Sequence, residues 1–219
     1  VSVRVNRQEL LQSLNRVSAG LSTRDFIEQS SSFVFMDGWV CTFNDEICCR
    51  TKTGLPDDLV GAVRAVQLQR ALENIGDDDV DIRLADGEMQ IRANRKRVDI
   101  RMESEIILPI EQVEKPESWA VLADPAAFAK AVEQVAGTAG TNAEEFITTC
   151  VHIHPRYLEA TDRKQVCRYE IETGADRSFL VRATSLAHIV TLELTKIGMT
   201  DNWVHFRNKA GLIYSCRRF

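Results

Sequence analysis

The sequence lacks any hydrophobic run long enough to cross a membrane. No stretch of its 219 residues approaches the roughly 18 apolar residues that a spanning helix needs. The opening residues, VSVRVNRQEL, contain no apolar signal core. Secretion and membrane insertion are therefore not indicated, and we expect a cytoplasmic protein that has no membrane partner.

The sequence also lacks CxxC pairs of cysteines and the common catalytic motifs. The six cysteines include the adjacent Cys48 and Cys49 but no CxxC, so their spacing fits neither a zinc ribbon nor a disulfide scaffold. The motifs GxSxG, GxxxxGK[ST], GxGxxG and HExxH are all absent. We expect buried free thiols, no cofactor, no bound metal and no enzymatic activity.

Positive charge is not in excess. The chain has 27 Lys and Arg against 32 Asp and Glu, a net charge of −5. This balance argues against a general positive coat for nucleic acid, but it leaves open a basic lining within an acidic body. A chain that is 44% hydrophobic and 27% charged is typical of a globular protein with one large domain or two.

What the sequence does contain is a fourfold repeat of amphipathic helices. Their leading apolar residues Leu10, Leu68, Phe128 and Leu186 lie 58, 60 and 58 residues apart. Each begins a stripe with helical spacing. The stripes are Leu10, Leu14 and Val17; Leu68, Leu72 and Ile75; Phe128, Val132 and Val135; and Leu186, Val190 and Leu194.

Start signals and turns complete the repeating unit. Asn6 with Glu9 resembles a capping box, and Asp124 before Pro125 is a typical helix start. Asp37-Gly38 and Asp86-Gly87 mark hairpins after the helices. We predict a unit of one strand, one helix and three antiparallel strands, used twice in each of two α+β domains.

The acidic, proline-bearing stretch at about 105–117 is predicted to link domain 1 (1–110) to domain 2 (118–219).

Alignment of Gly87 with Gly211 indicates that the fourth copy lacks its last strand, which favours a longer natural chain. The acidic turns of VCTFNDEICCRTKT (40–53) and YLEATDRKQVCRYEI (157–171) align Asp45 with Asp162.

The segments VNRQELLQSLNRVSAGLS, YLEATDRKQV and RSFLVRATSLAHIV resemble, in that order, the DNA sliding clamps: the β subunit of bacterial DNA polymerase III and its phage or prophage relatives. The resemblance covers the whole chain. It implies a DNA clamp fold with sheets outside and helices inside, which encircles duplex DNA non-specifically and tethers a replicative polymerase. It also implies self-association into a ring, a dimer if a third domain exists and a trimer if two domains suffice.

The helix faces opposite the apolar stripes are polar and weakly basic, as sliding over phosphates requires, although solvated helix faces often look like this. The face residues are Gln8, Gln12, Asn15, Arg16, Gln67, Arg70, Asn74, Lys130, Gln134, Arg182, Ser185 and His188. With the resemblance, Arg16 and Arg24 are the first DNA-contact candidates. Arg70, Lys130 and Arg182 follow.

By resemblance, one wall of the pocket for partner peptides consists of Thr161, Asp162, Arg163, Lys164 and Val166. Its partners would be short motifs of the polymerase and of clamp-loader subunits. Arg163-Lys164 stand where the family usually has glycine followed by histidine or tyrosine, and Val166 replaces leucine. We therefore expect a narrower, more charged pocket. Asp162 is alternatively a cap for its own hairpin turn.

Two other functions remain open. Cys150, His152 and His154 share one face of a strand, so a metal-dependent hydrolase using the His152/His154 face is one alternative. The other is a clamp-like phage protein that captures host clamp partners without tethering.

Overall fold

The structure is a computed structural model that describes residues 2–24 and 26–219. The chain divides into two compact units, Val1–Ile110 and Glu111–Phe219. In the first unit, copy one comprises β1 (Ser2–Asn6), α1 (Arg7–Val17), β2 (Ser32–Met36), β3 (Trp39–Phe43) and β4 (Ile47–Lys52). Copy two comprises β5 (Gly61–Arg64), α2 (Ala65–Asn74), β6 (Asp79–Ala85), β7 (Glu88–Arg92) and β8 (Arg97–Glu103).

The second unit repeats this order. Copy three comprises β9 (Ala120–Val121), α3 (Pro125–Ala136), β10 (Cys150–His154), β11 (Tyr157–Thr161) and β12 (Val166–Glu170). Copy four comprises β13 (Phe179–Arg182), α4 (Ala183–Ala187), β14 (Leu194–Met199), β15 (Trp203–Asn208) and β16 (Ile213–Arg217). The predicted fourfold unit and the α+β class are confirmed. No helix among the described residues is long and apolar enough to span a bilayer.

Within each unit, the two copies exchange their first strands. β1 pairs with β6 of copy two, whereas β5 pairs with β2 of copy one. β9 likewise pairs with β14, and β13 pairs with β10. All these pairings are antiparallel. A copy on its own would leave its three-stranded meander without the fourth strand, so the pair of copies is the folding unit.

Three of the four predicted apolar stripes form the interface between helices and sheets. Leu10, Leu14 and Val17 are buried on α1, and the stripes of α2 and α3 are buried in the same way. The predicted caps are present: Asn6 Oδ1 accepts a hydrogen bond from the Glu9 amide at 3.1 Å, and Asp124 Oδ1 accepts one from Ala127 at 2.9 Å. Local sequence signals therefore determine where these helices begin.

The fourth helix is shorter than predicted. α4 ends at Ala187 and continues as a 3-10 turn, His188–Thr191, so Leu194 lies in β14 instead of on the helix. Ile189 takes the buried position in that turn, while Val190 is half-buried. β-branched side chains at Ile189, Val190 and Thr191 disfavour continuation of an α-helix, and Glu193 then adopts a positive φ of 50°.

The prediction that copy four lacks its last strand is wrong. Gly211 lies between β15 and β16, whereas Gly87 lies between β6 and β7, so the two glycines occupy different turns. The counterpart of the Asp86-Gly87 turn is the connection between β14 and β15, which contains Thr200 and Asn202. A glycine turn alone does not identify which hairpin it closes.

The predicted linker is not a free connection, because its two halves are bound to different units. Gln29 of the first unit donates a hydrogen bond to the Glu105 carbonyl at 2.8 Å. In the second unit, Glu114 accepts one from the Asn202 amide side chain at 2.7 Å. A Cβ on Gly198 would lie 2.9 Å from the Cβ of Pro116, so this stretch also packs closely on β14.

Candidate nucleic-acid and peptide interfaces

In the first unit, two predicted DNA contacts lie on adjoining helices. Arg16 is exposed in the last turn of α1, and Arg70 is exposed on α2. The helices are joined beside these arginines, because Gln69 donates hydrogen bonds to Asn15 at 3.0 Å and to Ser18 at 3.3 Å. This contact holds the polar faces of α1 and α2 side by side.

The third candidate, Arg24, lies on an anchored loop after α1. Arg24 is exposed, and the base of the loop is closed by a hydrogen bond of 2.9 Å from the Ser22 amide to the Ser30 carbonyl. The loop also exposes Phe26, which is 87% accessible and which the sequence patterns did not single out. The sequence around Phe26 has no apolar periodicity, so nothing in it indicated whether this side chain is buried or exposed.

Gln29 anchors this loop to the segment after β8. Its side chain is buried and its φ is 64°. The amide nitrogen donates to Glu103 at 2.9 Å and to the Glu105 carbonyl, while the amide oxygen accepts from Ile107 at 3.0 Å and from Leu108 at 3.3 Å. One side chain thus fixes the end of the Arg24 loop.

In the second unit, the two candidate cations have different surroundings. Lys130 is exposed on α3. Arg182 is half-buried at the N-cap of α4, with its guanidinium 4.8 Å from the centre of the Phe146 ring, and it lines an open groove of about 550 Å³ between α3 and α4. The assignment of Ser185 to the polar face is wrong, since Ser185 is buried beneath the Tyr214 hydroxyl, which donates to its carbonyl at 2.7 Å.

The exposed faces of the three longer helices are electrically balanced, and not weakly basic as predicted. Each presents one acid and one base: Glu9 and Arg16 on α1, Glu73 and Arg70 on α2, and Glu133 and Lys130 on α3. Phosphate attraction grows with the number of unopposed cations. A face with this balance has little net attraction for a phosphate backbone and little net repulsion from it.

The predicted peptide wall is a rigid turn between β11 and β12. Asp162 Oδ1 accepts hydrogen bonds from the amides of Gln165 and Lys164, both at 2.9 Å, and these bonds lower the pKa of Asp162. The Thr161 hydroxyl donates to the Gln165 carbonyl at 2.7 Å and accepts from the Arg163 amide at 3.0 Å. Asp162 therefore caps the turn, as the alternative interpretation held.

The turn is also connected to the segment before β10. Arg163 forms an ion pair with Glu145 at 2.5 Å, immediately before the 3-10 turn Phe146–Thr149. Two apolar side chains are exposed on these linked segments: Val166 is 71% accessible and Ile147 is 72% accessible. The sequence patterns missed Ile147, because a short 3-10 turn has no periodicity to mark it.

The first unit has the same kind of turn, but the predicted alignment is shifted by one residue. Asn44 Oδ1 accepts from the amides of Glu46 at 3.2 Å and Ile47 at 2.8 Å, so Asn44 is the counterpart of Asp162. The residues that follow, Asp45 and Arg163, both have a φ of 74°. The equivalent positions are thus 118 residues apart (162 − 44). An amide oxygen caps the turn of the first unit, and a carboxylate oxygen caps that of the second.

His152, one of the two histidines of the metal alternative, belongs to a hydrogen-bonded cluster on β10, β11 and β12. His152 Nδ1 lies 2.8 Å from Glu159 Oε1, and Arg168 donates to Glu159 Oε2 from Nε at 2.9 Å and from Nη2 at 2.6 Å. Partial burial would raise the pKa of Glu159, but the bonds from His152 and Arg168 outweigh it, and the pKa is lowered. Across the described ranges, no three metal-ligating side chains gather into a group.

The duplicated α+β units with polar helix faces define the class of fold, that of the DNA clamps. Comparison with solved structures supports this assignment of the fold. The chain matches a DNA polymerase sliding clamp from Bacillus subtilis with a TM-score of 0.81 at 15% identity, over 100% of this chain and 64% of that one. It matches a DNA polymerase III beta subunit from Thermotoga maritima with a TM-score of 0.79 at 15% identity, over 99% and 64%.

A sliding clamp (DNA polymerase III subunit beta) from Bartonella birtlesii bound to griselimycin gives a TM-score of 0.85 at 13% identity, over 100% of this chain and 64% of that one. The chain thus has the sliding-clamp fold and spans less than two thirds of the length of these structures. This confirms the resemblance at the level of the fold. No family model and no curated protein matches the sequence.

Proposed function

We propose that this protein is a non-enzymatic, cytoplasmic processivity factor that encircles duplex DNA as part of a ring and tethers a replicative polymerase. The observation that carries the proposal is the sliding-clamp fold, matched along the whole chain. The polar, charge-balanced faces of α1, α2 and α3 support it, since a sliding protein must meet phosphates without holding them tightly. DNA contacts would come from Arg16, Arg24, Arg70, Lys130 and Arg182.

The test is topological. We expect the assembled ring to stay on a closed circular plasmid in gel filtration at moderate salt and to leave when a restriction enzyme linearises the plasmid. Light scattering would give the ring stoichiometry, a dimer or a trimer. Equal retention on circular and linear DNA would contradict encirclement, because contact-based binding does not depend on DNA ends.

For partner binding, the proposed surface is the turn 161–166 together with Ile147. The exposure of Ile147 and Val166 beside Arg163 and Lys164 supports a peptide that has apolar side chains. We expect Val166→Asp to weaken binding of a polymerase C-terminal peptide and of griselimycin at least tenfold in calorimetry. Val121→Asp is the matched control, since Val121 is 68% exposed on β9.

A second candidate function is capture of clamp partners without tethering to DNA. The balance of acid and base on each longer helix favours it, because such faces supply little affinity of their own for DNA. Peptide binding without retention on circular DNA would identify this function. Retention together with peptide binding would identify the tether.

A further inference from the structure

Arg163 occupies a backbone conformation that arginine rarely adopts. Within residues 2–24 and 26–219, the non-glycine residues with positive φ are Gln29, Asp37, Asp45, Asp86, Arg163 and Glu193. A short aspartate side chain tolerates this region by bonding to the local backbone, whereas a long arginine gains nothing comparable and bears the steric cost of its Cβ. The equivalent position of the first unit, Asp45, has the tolerated residue type.

Contacts beyond the local backbone offset this strain. The guanidinium reaches Glu145, 18 residues earlier in the chain, with Nη1 and Oε1 2.5 Å apart. The Glu145 carbonyl in turn accepts hydrogen bonds from the Thr148 amide at 2.9 Å and the Thr148 hydroxyl at 2.8 Å. Glu145 therefore connects the β11–β12 turn to the 3-10 turn that carries Ile147.

We propose that the Arg163–Glu145 pair is a positioning device that holds Ile147 and Val166 at the separation a partner peptide needs. The inference rests on the proposed partner surface. Strain at an outlying φ persists where surrounding contacts fix it, and such sites cluster at ligand clamps. In this role Arg163 does not contact the peptide itself but fixes the positions of Ile147 and Val166. Lys164 is exposed on the same turn.

The first test needs no ligand. In hydrogen exchange followed by mass spectrometry, Glu145→Gln and Arg163→Gln are expected to speed amide exchange several-fold in segments 145–149 and 162–166. Segment 44–47 is the internal control and should not change. Unaltered exchange in both linked segments would overturn the inference, because the pair would then hold nothing in place.

The second test uses calorimetry with a polymerase C-terminal peptide as the probe. Each single variant should weaken binding by about three- to tenfold, and the swapped double variant Arg163→Glu/Glu145→Arg should restore most of it. Failure of the swap to restore binding while exchange returns to normal would overturn positioning, since Arg163 itself would then contact the peptide. Should the wild type not bind the probe, the proposed partner surface fails, and exchange still decides whether the pair positions the turn.

Discussion

At the scale of single residues, the Gln29 side chain anchors the end of the Arg24 loop to the segment after β8. Gln29→Ala would leave the amides of Ile107 and Leu108 without the oxygen that they now share. We expect a loss of about 1–3 kcal/mol in the free energy of unfolding, since the Leu108 amide is buried and a buried unsatisfied group costs about 1–3 kcal/mol. Urea titration measures it.

Gln12→Ala is the matched control for this change, because Gln12 is exposed on α1. We expect it to change the free energy of unfolding by less than about 0.5 kcal/mol. Equal stability of the Gln29 and Gln12 variants would show that the segment after β8 does not need its anchor.

The cysteines provide a second prediction at this scale. Burial raises the pKa of Cys41 to about 11 and that of Cys48 to about 12, so both remain protonated and inaccessible in the folded protein. Cys167 is half-buried. Iodoacetamide at pH 8 should therefore modify Cys167 first, as read by peptide mass spectrometry, and Cys41 and Cys48 after unfolding. Rapid modification of Cys48 in the native state would contradict its burial.

At the scale of secondary-structure elements, the exchanged first strands determine what can fold alone. Residues 1–58 contain β1 without its partner β6, and residues 59–110 contain β5 without its partner β2. We expect each fragment to be largely unstructured in circular dichroism and their mixture to regain β-sheet signal. A stably folded single fragment would show that the copies, and not their pairs, are the folding units.

Much of this element order could be predicted from the sequence, because helix stripes, caps and hairpin turns are local signals. Leu10, Leu68 and Phe128 were placed correctly for that reason. The predictions were wrong where the same local sequence pattern is compatible with two different structures. Gly211 and Gly87 both mark turns, but of different hairpins, and the helical spacing from Leu186 to Leu194 crosses a 3-10 turn into a strand.

The strand exchange and the ion pair between Arg163 and Glu145 could not be predicted in the same way. Both join residues that are distant in the chain, and a single sequence has no periodicity that encodes such contacts. Ile147 was missed for a related reason, since its relation to Val166 depends on where Glu145 places the 3-10 turn. The sequence therefore predicted only the turn 161–166 of the candidate peptide site. The contact that adds Ile147 to this site was seen only in the structure.

At the scale of the whole molecule, a net charge of −5 has to be reconciled with an expected DNA partner. If DNA meets the helix faces, as proposed, acidic residues on the turns and strands would be farther from its phosphates than the helix residues are. Salt would then screen them, since the Debye length is about 8 Å at physiological ionic strength. Glu73 and Glu133 lie one helical turn from Arg70 and Lys130, and Glu9 lies two turns from Arg16 on the same side of α1, so the acids and the candidate cations of each helix share one face. The local balance on the helices should therefore govern DNA affinity more than the total charge.

The triple change Glu9→Gln, Glu73→Gln and Glu133→Gln tests this directly, because it leaves one unopposed cation on each of the three longer helices. We expect tighter duplex binding in fluorescence anisotropy. The slope of log affinity against log salt should steepen by about 0.9 for each additional phosphate that the protein neutralises. A matched triple, Asp86→Asn, Glu117→Gln and Glu170→Gln, changes the net charge equally at exposed positions outside the helices. If both triples raised DNA affinity equally, total charge would be the cause, and the helix faces would not be the surface that meets DNA.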